Sequence, residues 1–407
     1  MPSLRTFSSL KNTVYRFYYG GILCQMAAMN MQMVTRSYLT YDVTDSASIL
    51  GAMALAHAVP MTVLSLFGGV IADRMPKKYT LIVGLVGSAA VALGMALALA
   101  FDYLSAERVS SWWVLIVASV VQGIIMGLMM PSRQSIIAEI VSVDQLMNAI
   151  ALNTFGMNVL RFLMPALAGV IIDTYGYETV YYIMTGLYVI SVVFIGFLPL
   201  TRARSRSDVS ALADLKDGLR YVRREPTILL ILGFTLVIIV LSRPYQFLLP
   251  VFTVDILKSG ATEMGILMSV AGIGAMLGSL VLASIPGKKR GILLIISGLM
   301  LSLALASFSF SEKWILSLTL IAFVGLGDTG RVTLANTLVQ YYVDDKYRGR
   351  VMSLLMMEFG IMSFGVFFAG LMTDAIGVQW SIGGLAILLC LVCIGALAFS
   401  QRLRKLE

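Results

Sequence analysis

Charge is what this chain has least of. Only 13% of its 407 residues are Asp, Glu, Lys or Arg, about half the share usual in a soluble domain. Hydrophobic residues make up 58%, and the mean hydropathy is +0.88. A chain this long can bury a sizeable core, yet the exterior left over is too apolar for water to solvate. Lipid must cover most of it. Histidine is scarcer still, with His57 alone in the chain, so a His-rich metal centre is excluded and no metal or other cofactor is expected. No nucleophile stands at a recognisable spacing from a base, which argues against an enzyme. The three cysteines (Cys24, Cys390, Cys393) all fall in apolar stretches and give no disulfide framework. Cys390-x-x-Cys393 has the spacing of a metal or redox motif, but it lies inside an apolar helix with no histidine near, and packing explains it better.

What the chain has instead is long apolar runs. Twelve reach the ~20 residues that a bilayer requires: 14–41, 47–72, 79–101, 111–139, 145–173, 179–200, 226–256, 262–285, 291–310, 314–342, 349–375 and 380–400. The expected fold is all-α and integral to the membrane. The first run follows a polar, amphipathic stretch with Leu4, Phe7 and Leu10 on one face, and it is long enough to span, unlike a cleavable signal. The net charge of +8 follows topology, not nucleic acid. Of the 30 basic residues, 22 gather in alternate loops and at the two termini, while Arg108, Lys258 and Lys313 alone occupy the loops between. The positive-inside rule then puts both termini in the cytoplasm.

The longest polar interruption, 201–225, opens with Arg202, Arg204 and Arg206 and continues as a short amphipathic helix with Leu212, Leu215, Leu219 and Val222 in one stripe. A basic helix of this kind is expected to lie on the inner leaflet. It divides the chain into a six-span bundle at 1–200, a linker at 201–225 and a second six-span bundle at 226–407. The halves resemble each other. Ala168-Gly169-x-x-x-Asp173-x-x-Gly176 ends the fifth span, and Ala369-Gly370-x-x-x-Asp374-x-x-Gly377 ends the eleventh. Asp42 and Gly51 near the first span are echoed by Asp255 and Gly265 near the seventh. Repeated six-helix units are a transporter architecture with the site near mid-membrane.

After the second span stands Gly69-Val-Ile-Ala-Asp73-Arg74-Met-Pro76-Lys77-Lys78. This resembles the loop motif of the major facilitator superfamily, with Pro76 where the family has Gly. Further strings resemble the drug- and siderophore-exporter branch of bacterial members, which includes enterobactin exporters and macrolide efflux proteins. They are Pro131-Ser-Arg133-Gln-Ser, Asn158-x-x-Arg161, Leu215-x-x-Gly218-Leu-Arg-Tyr-Val-Arg-Arg-x-Pro226, Leu249-Pro250-Val-Phe and Arg348-Gly-Arg350-Val. The resemblance implies two six-helix bundles that rock in alternating access, a location in the bacterial plasma (inner) membrane and a monomeric working unit. It also implies an inner gate built from Gly69, Asp73, Arg74, Lys77, Lys78 and Arg133, with Asp73 latching one conformation.

Ionisable groups within a bilayer are costly and mark function by default. Here they are Arg36, Arg133, Arg161, Arg243, Asp328, Arg331 and Glu358; spans three, six, nine and twelve hold none. In the facilitator fold those four helices are peripheral. Five Arg against two acids make the cavity cationic unless Glu139 or Asp73 reaches Arg133, which suits an anionic, siderophore- or drug-like substrate. Arg36, Arg161, Arg243 and Arg331 are the candidate anion contacts, with Asn30, Gln32, Asn158, Tyr245 and Gln246 supplying directional hydrogen bonds. The competing reading makes these arginines scaffold residues that fix helix geometry.

Asp328 and Arg331 are spaced to pair on one helix, and Glu358 is expected to pair with Arg161 or Arg243 across the cavity. Asp328, Glu358 and His57 are the candidate proton-coupling groups, although helix packing is the better reading of His57. Many proton-driven exporters carry an acid in the first span, where this chain has Asn30, Gln32 and Arg36. The expected partners are a small-molecule substrate, membrane lipid and protons, with no nucleic acid. A non-transporting sensor or scaffold, a lipid flippase and a uniporter are the alternatives. Gly325-x-Gly327-x-x-Gly330 has the spacing of a dinucleotide loop but lies within the tenth span, where helix packing explains it.

Overall fold

The computed structural model describes residues 8–105, 109–200, 211–285 and 289–406, and for 66–74, 109–110, 211–215 and 359 the backbone alone. Among the described residues every regular element is a helix. The first four spans are Thr13–Thr44, Ala47–Arg74, Lys77–Ala100 and Trp113–Ser135. The fifth and sixth share one helical run, Val143–Gly196, broken at Gly176. The linker helix is Ala211–Arg224. The seventh span is built in pieces, Pro226–Ser242, Pro244–Val251 and a π turn at Phe252–Ile256. The remaining five are Ala261–Ser284, Arg290–Ser309, Trp314–Tyr342, Arg348–Ile376 and Val378–Phe399.

Ten described segments are long and apolar enough to cross a membrane. One of them, the 54-residue Val143–Gly196, is twice the length a bilayer needs and makes two crossings. The first helix, 32 residues long, is too polar to be among the ten yet long enough to span. Twelve crossings result. Large apolar side chains cover the outside of these helices, Ile315 at 78% exposure and Phe399 at 89% among them. Such a surface is stable only against lipid.

Helix reversals and crossings explain the repeated glycines. Gly176 and Gly377 are the two glycines with positive φ among the described residues, at 82° and 84°. Each turns the chain between antiparallel spans within a single residue, in a backbone region that residues with a Cβ avoid. The repeat read in the sequence therefore marks the same turn twice. Asp45 and Lys258, in the loops after the first and seventh spans, are likewise both left-handed, at 46° and 50°.

Elsewhere glycine lets backbones touch. A methyl group on Gly123 would overlap the His57 carbonyl oxygen, and one on Gly127 would lie 2.6 Å from the Met61 carbonyl oxygen. All three glycines of the Gly325-x-Gly327-x-x-Gly330 run are spent this way. Gly325 packs against Ala271 of the eighth span, while Gly327 and Gly330 face Leu301 and Ser297 of the ninth. The run is a packing seam.

By contacts the chain forms two units. One comprises Met1–Val43 and Ala56–Ala211; the other comprises Thr44–Leu55 and Leu212–Glu407. The first turns of the second span thus group with the second unit, a division the linker-based boundaries did not anticipate.

Candidate functional site

In the second unit the buried charges form one network. Arg243 occupies the break in the seventh span, where Pro244 offers no N–H to continue the helix. Its Nη1 donates to Gln246 Oε1 at 2.8 Å and its Nη2 to Asp328 Oδ2 at 2.7 Å. Arg331, one turn along the tenth span from Asp328, donates to Oδ1 from Nε at 3.3 Å and from Nη2 at 3.1 Å. Two guanidiniums therefore share a single carboxylate, and Arg331 is only 3% exposed. Tyr245 is buried beside Arg243 in the chain, and Gln246 is half-buried.

Glu358 departs from the expected pairing with Arg161 or Arg243. It is 6% exposed, its Oε1 accepts a hydrogen bond from Thr235 Oγ1 at 2.7 Å, and Arg331 is its electrostatic neighbour. Asp328 takes Arg243 first because the broken seventh span carries that guanidinium to the tenth.

The first unit is organised differently. Arg36 has Tyr181 and His57 as electrostatic neighbours. Arg133 points Nη1 at two thioethers, Met26 Sδ and Met29 Sδ, each at 3.9 Å. Among the described residues no carboxylate pairs with either arginine. Glu139, one of the two acids considered for Arg133, instead forms an ion pair with Lys77. Asn30 turns its amide onto the Met26 carbonyl of its own helix at 2.8 Å, and Gln32, two residues further on, is half-buried. Asn158 and Arg161 share the exposed side of the fifth span, away from Gly156, which packs on Tyr19 and Leu23. His57 lies in the tight crossing of the second and fourth spans, with its Nδ1 buried and lacking a hydrogen-bond partner among the described residues.

Of the inner-gate residues, Gly69, Asp73 and Arg74 are described by their backbone alone. Lys77 and Lys78 are described, and both fasten the first unit to itself. Lys77 pairs with Glu139, while Lys78 Nζ donates to the Gly196 and Leu198 carbonyls at 2.6 Å each. A cation there satisfies carbonyls left over at the C-terminus of the sixth span.

Sequence reasoning missed several contacts. Asp374, noticed only as half of a repeat, receives the backbone N–H groups of Ala47 at 2.9 Å and Ser48 at 3.0 Å and the Ser46 hydroxyl at 3.1 Å. It caps the second span from the eleventh, beside Gly370, whose missing side chain leaves room for the Ala47 carbonyl. Ser46 ahead of an apolar run was the available signal. Thr235 beside Glu358, and Met26 and Met29 beside Arg133, carried none, because both contacts join residues far apart in the chain.

Comparison with known proteins fits this geometry. Residues 18–365 match the family described as Major Facilitator Superfamily. The chain is 26% identical over 335 residues to the Staphyloferrin A transporter of Staphylococcus aureus, covering 82% of this chain and 83% of that one. It is 24% identical over 339 residues to the Enterobactin exporter EntS of Shigella boydii, covering 82% and 76%. In fold it is similar to a bacterial homologue of the human lysosomal transporter Spinster, with a TM-score of 0.74 at 12% identity over 100% of this chain and 98% of that one.

Proposed function

The chain belongs to the Major Facilitator Superfamily of membrane transporters, and on that premise we propose that it exports a small organic anion, siderophore- or drug-like, by alternating access. The names of two relatives, a Staphyloferrin A transporter and an enterobactin exporter, support the siderophore-like class. The observation that carries the anionic reading is that two arginines of the first unit have no carboxylate partner among the described side chains, from which Asp73 is excluded. Arg36 and Arg133 face no carboxylate among the described residues, whereas Arg243 and Arg331 are held by Asp328. A half-buried cation without a counter-ion carries a desolvation cost, and an anionic substrate offsets that cost when it binds. Tyr245 and Gln246 are the candidate substrate contacts of the second unit, and Asn158 and Arg161 are those of the fifth span.

Glu358 is the preferred proton-coupling group. Asp328 is committed to two guanidiniums, but Glu358 has a hydroxyl partner that serves either protonation state. The transporter works as a monomer in the bacterial inner membrane with both termini cytoplasmic, an orientation that the Lys and Arg distribution supports.

Reconstitution tests the reading. Purified protein in liposomes is expected to move siderophore-like anions and to lose that transport in Arg36→Gln, with the protein still folded. Equal transport of anionic and neutral compounds by this variant and the parent would remove the cationic site. Proton coupling predicts a substrate-driven pH change in the vesicle lumen that Glu358→Gln abolishes; a pH change unaltered in Glu358→Gln would assign coupling elsewhere.

A further inference from the structure

The linker helix Ala211–Arg224 has two unlike faces. One is fixed to the second unit. Tyr221 stacks on Tyr347 with ring centroids 4.2 Å apart, and its hydroxyl accepts the Asp344 N–H at 3.2 Å. Burial holds the Tyr221 phenol above its ordinary pKa, so it stays neutral in that bond. Asp217 lies 3.7 Å from Arg350, Gly218 leaves room for the Arg350 backbone and Cβ, and Val222 is 3% exposed. The stripe read in the sequence is therefore split: Val222 goes to the protein, and Leu219 faces outward at 42% exposure.

The other face is cationic. Lys216, Arg220, Arg223 and Arg224 are all exposed and, with Leu219, line a shallow depression. At 100° per residue these five positions fall within one arc of the helix. Asp217 lies 3.4 Å from Arg220 on its own helix and 3.7 Å from Arg350, so it offsets part of one charge of the arc and leaves the arc net cationic. Arg224 is two residues from Pro226, the first residue of the seventh span, so the arc sits at the level where lipid headgroups begin.

We propose that this arc binds the headgroup of an anionic phospholipid, with Leu219 reaching toward the acyl chains. The arc is net cationic, its depth is set by the adjoining span, and an apolar side chain sits among the cations as an interfacial helix requires. The helix is rigidly joined to the start of the eleventh span through Tyr221–Tyr347 and Asp217–Arg350. Lipid bound there steadies the inner end of the span that carries Glu358. The assignment does not depend on which substrate is transported.

The test uses the full-length protein, delipidated in detergent at physiological salt and titrated with phosphatidylglycerol, phosphatidylcholine or inorganic phosphate, with bound molecules counted by native mass spectrometry. Phosphatidylglycerol should bind and phosphatidylcholine should not. The triple variant Arg220→Gln, Arg223→Gln, Arg224→Gln should bind phosphatidylglycerol about a hundredfold more weakly, given the attraction per basic residue near an anionic surface. A control triple variant at Arg402, Arg404 and Lys405 removes the same charge elsewhere and should bind as the parent does. Unchanged binding in the first variant, equal loss in both, or displacement of the lipid by millimolar phosphate would each overturn the assignment.

Discussion

Both units are built from six membrane-crossing helices, share a repeated motif and reverse direction on equivalent glycines, yet they treat buried charge in opposite ways. The second unit closes its charges on each other, with Arg243 and Arg331 on Asp328 and Glu358 on Thr235. In the first, Arg36 has Tyr181 and His57 as electrostatic neighbours, and Arg133 faces two thioethers. A duplicated scaffold thus holds one half whose described arginines share a carboxylate and one half in which Arg36 and Arg133 have none among the described side chains.

The strongest way to break this contrast is Asp328→Ala, which leaves two guanidiniums buried together. A loss of about 3–5 kcal/mol is expected, read as a large drop in thermal stability in detergent, and adding Arg331→Met should recover part of it. A variant as stable as the parent would mean that the network does not hold the second unit. Asp374→Ala comes next. It removes a carboxylate from three donors at the second span's first turn, for a cost of about 1–2 kcal/mol, visible as faster hydrogen exchange over residues 46–51. Arg36→Gln should behave in reverse to Asp328→Ala: anion transport falls at least about tenfold, on the scale of one charge-assisted hydrogen bond, while thermal stability holds or rises. If stability falls as far as in the Asp328 variant, Arg36 is scaffold and the two halves are alike. Smallest is Tyr221→Phe, which keeps the ring stacking and loses one hydrogen bond, about 0.5–1.5 kcal/mol. It should quicken exchange near Asp344 and leave transport unchanged.

Periodicity and composition made the fold readable. Span length is a property of consecutive residues, and lipid leaves few alternatives to helices. The repeat around Asp173 and Asp374 was visible for the same reason, since Gly176 and Gly377 recur because one backbone geometry recurs. The pairing of charges was readable only within a helix. Asp328 with Arg331 follows from a three-residue spacing, but Arg243 reaches the same carboxylate because the seventh span breaks at Pro244. No local pattern encodes Glu358 with Thr235, Glu139 with Lys77 or Asp374 with the second span. Each depends on how helices distant in sequence are laid side by side. The Gly325-x-Gly327-x-x-Gly330 run shows the converse, a string whose meaning changes from phosphate loop to packing seam once its helical setting is known.

The one-residue reversals at Gly176 and Gly377 also bear on how the protein is made. Spans five and six, and again eleven and twelve, have no loop between them to tether or to cross the bilayer separately. Each pair must leave the insertion machinery as a hairpin, its second arm synthesised before the first can settle. A ribosome stalled between the arms should therefore hold the earlier arm uncommitted. An epitope inserted at either glycine should prevent assembly, where the same insertion in a polar loop would be carried without loss.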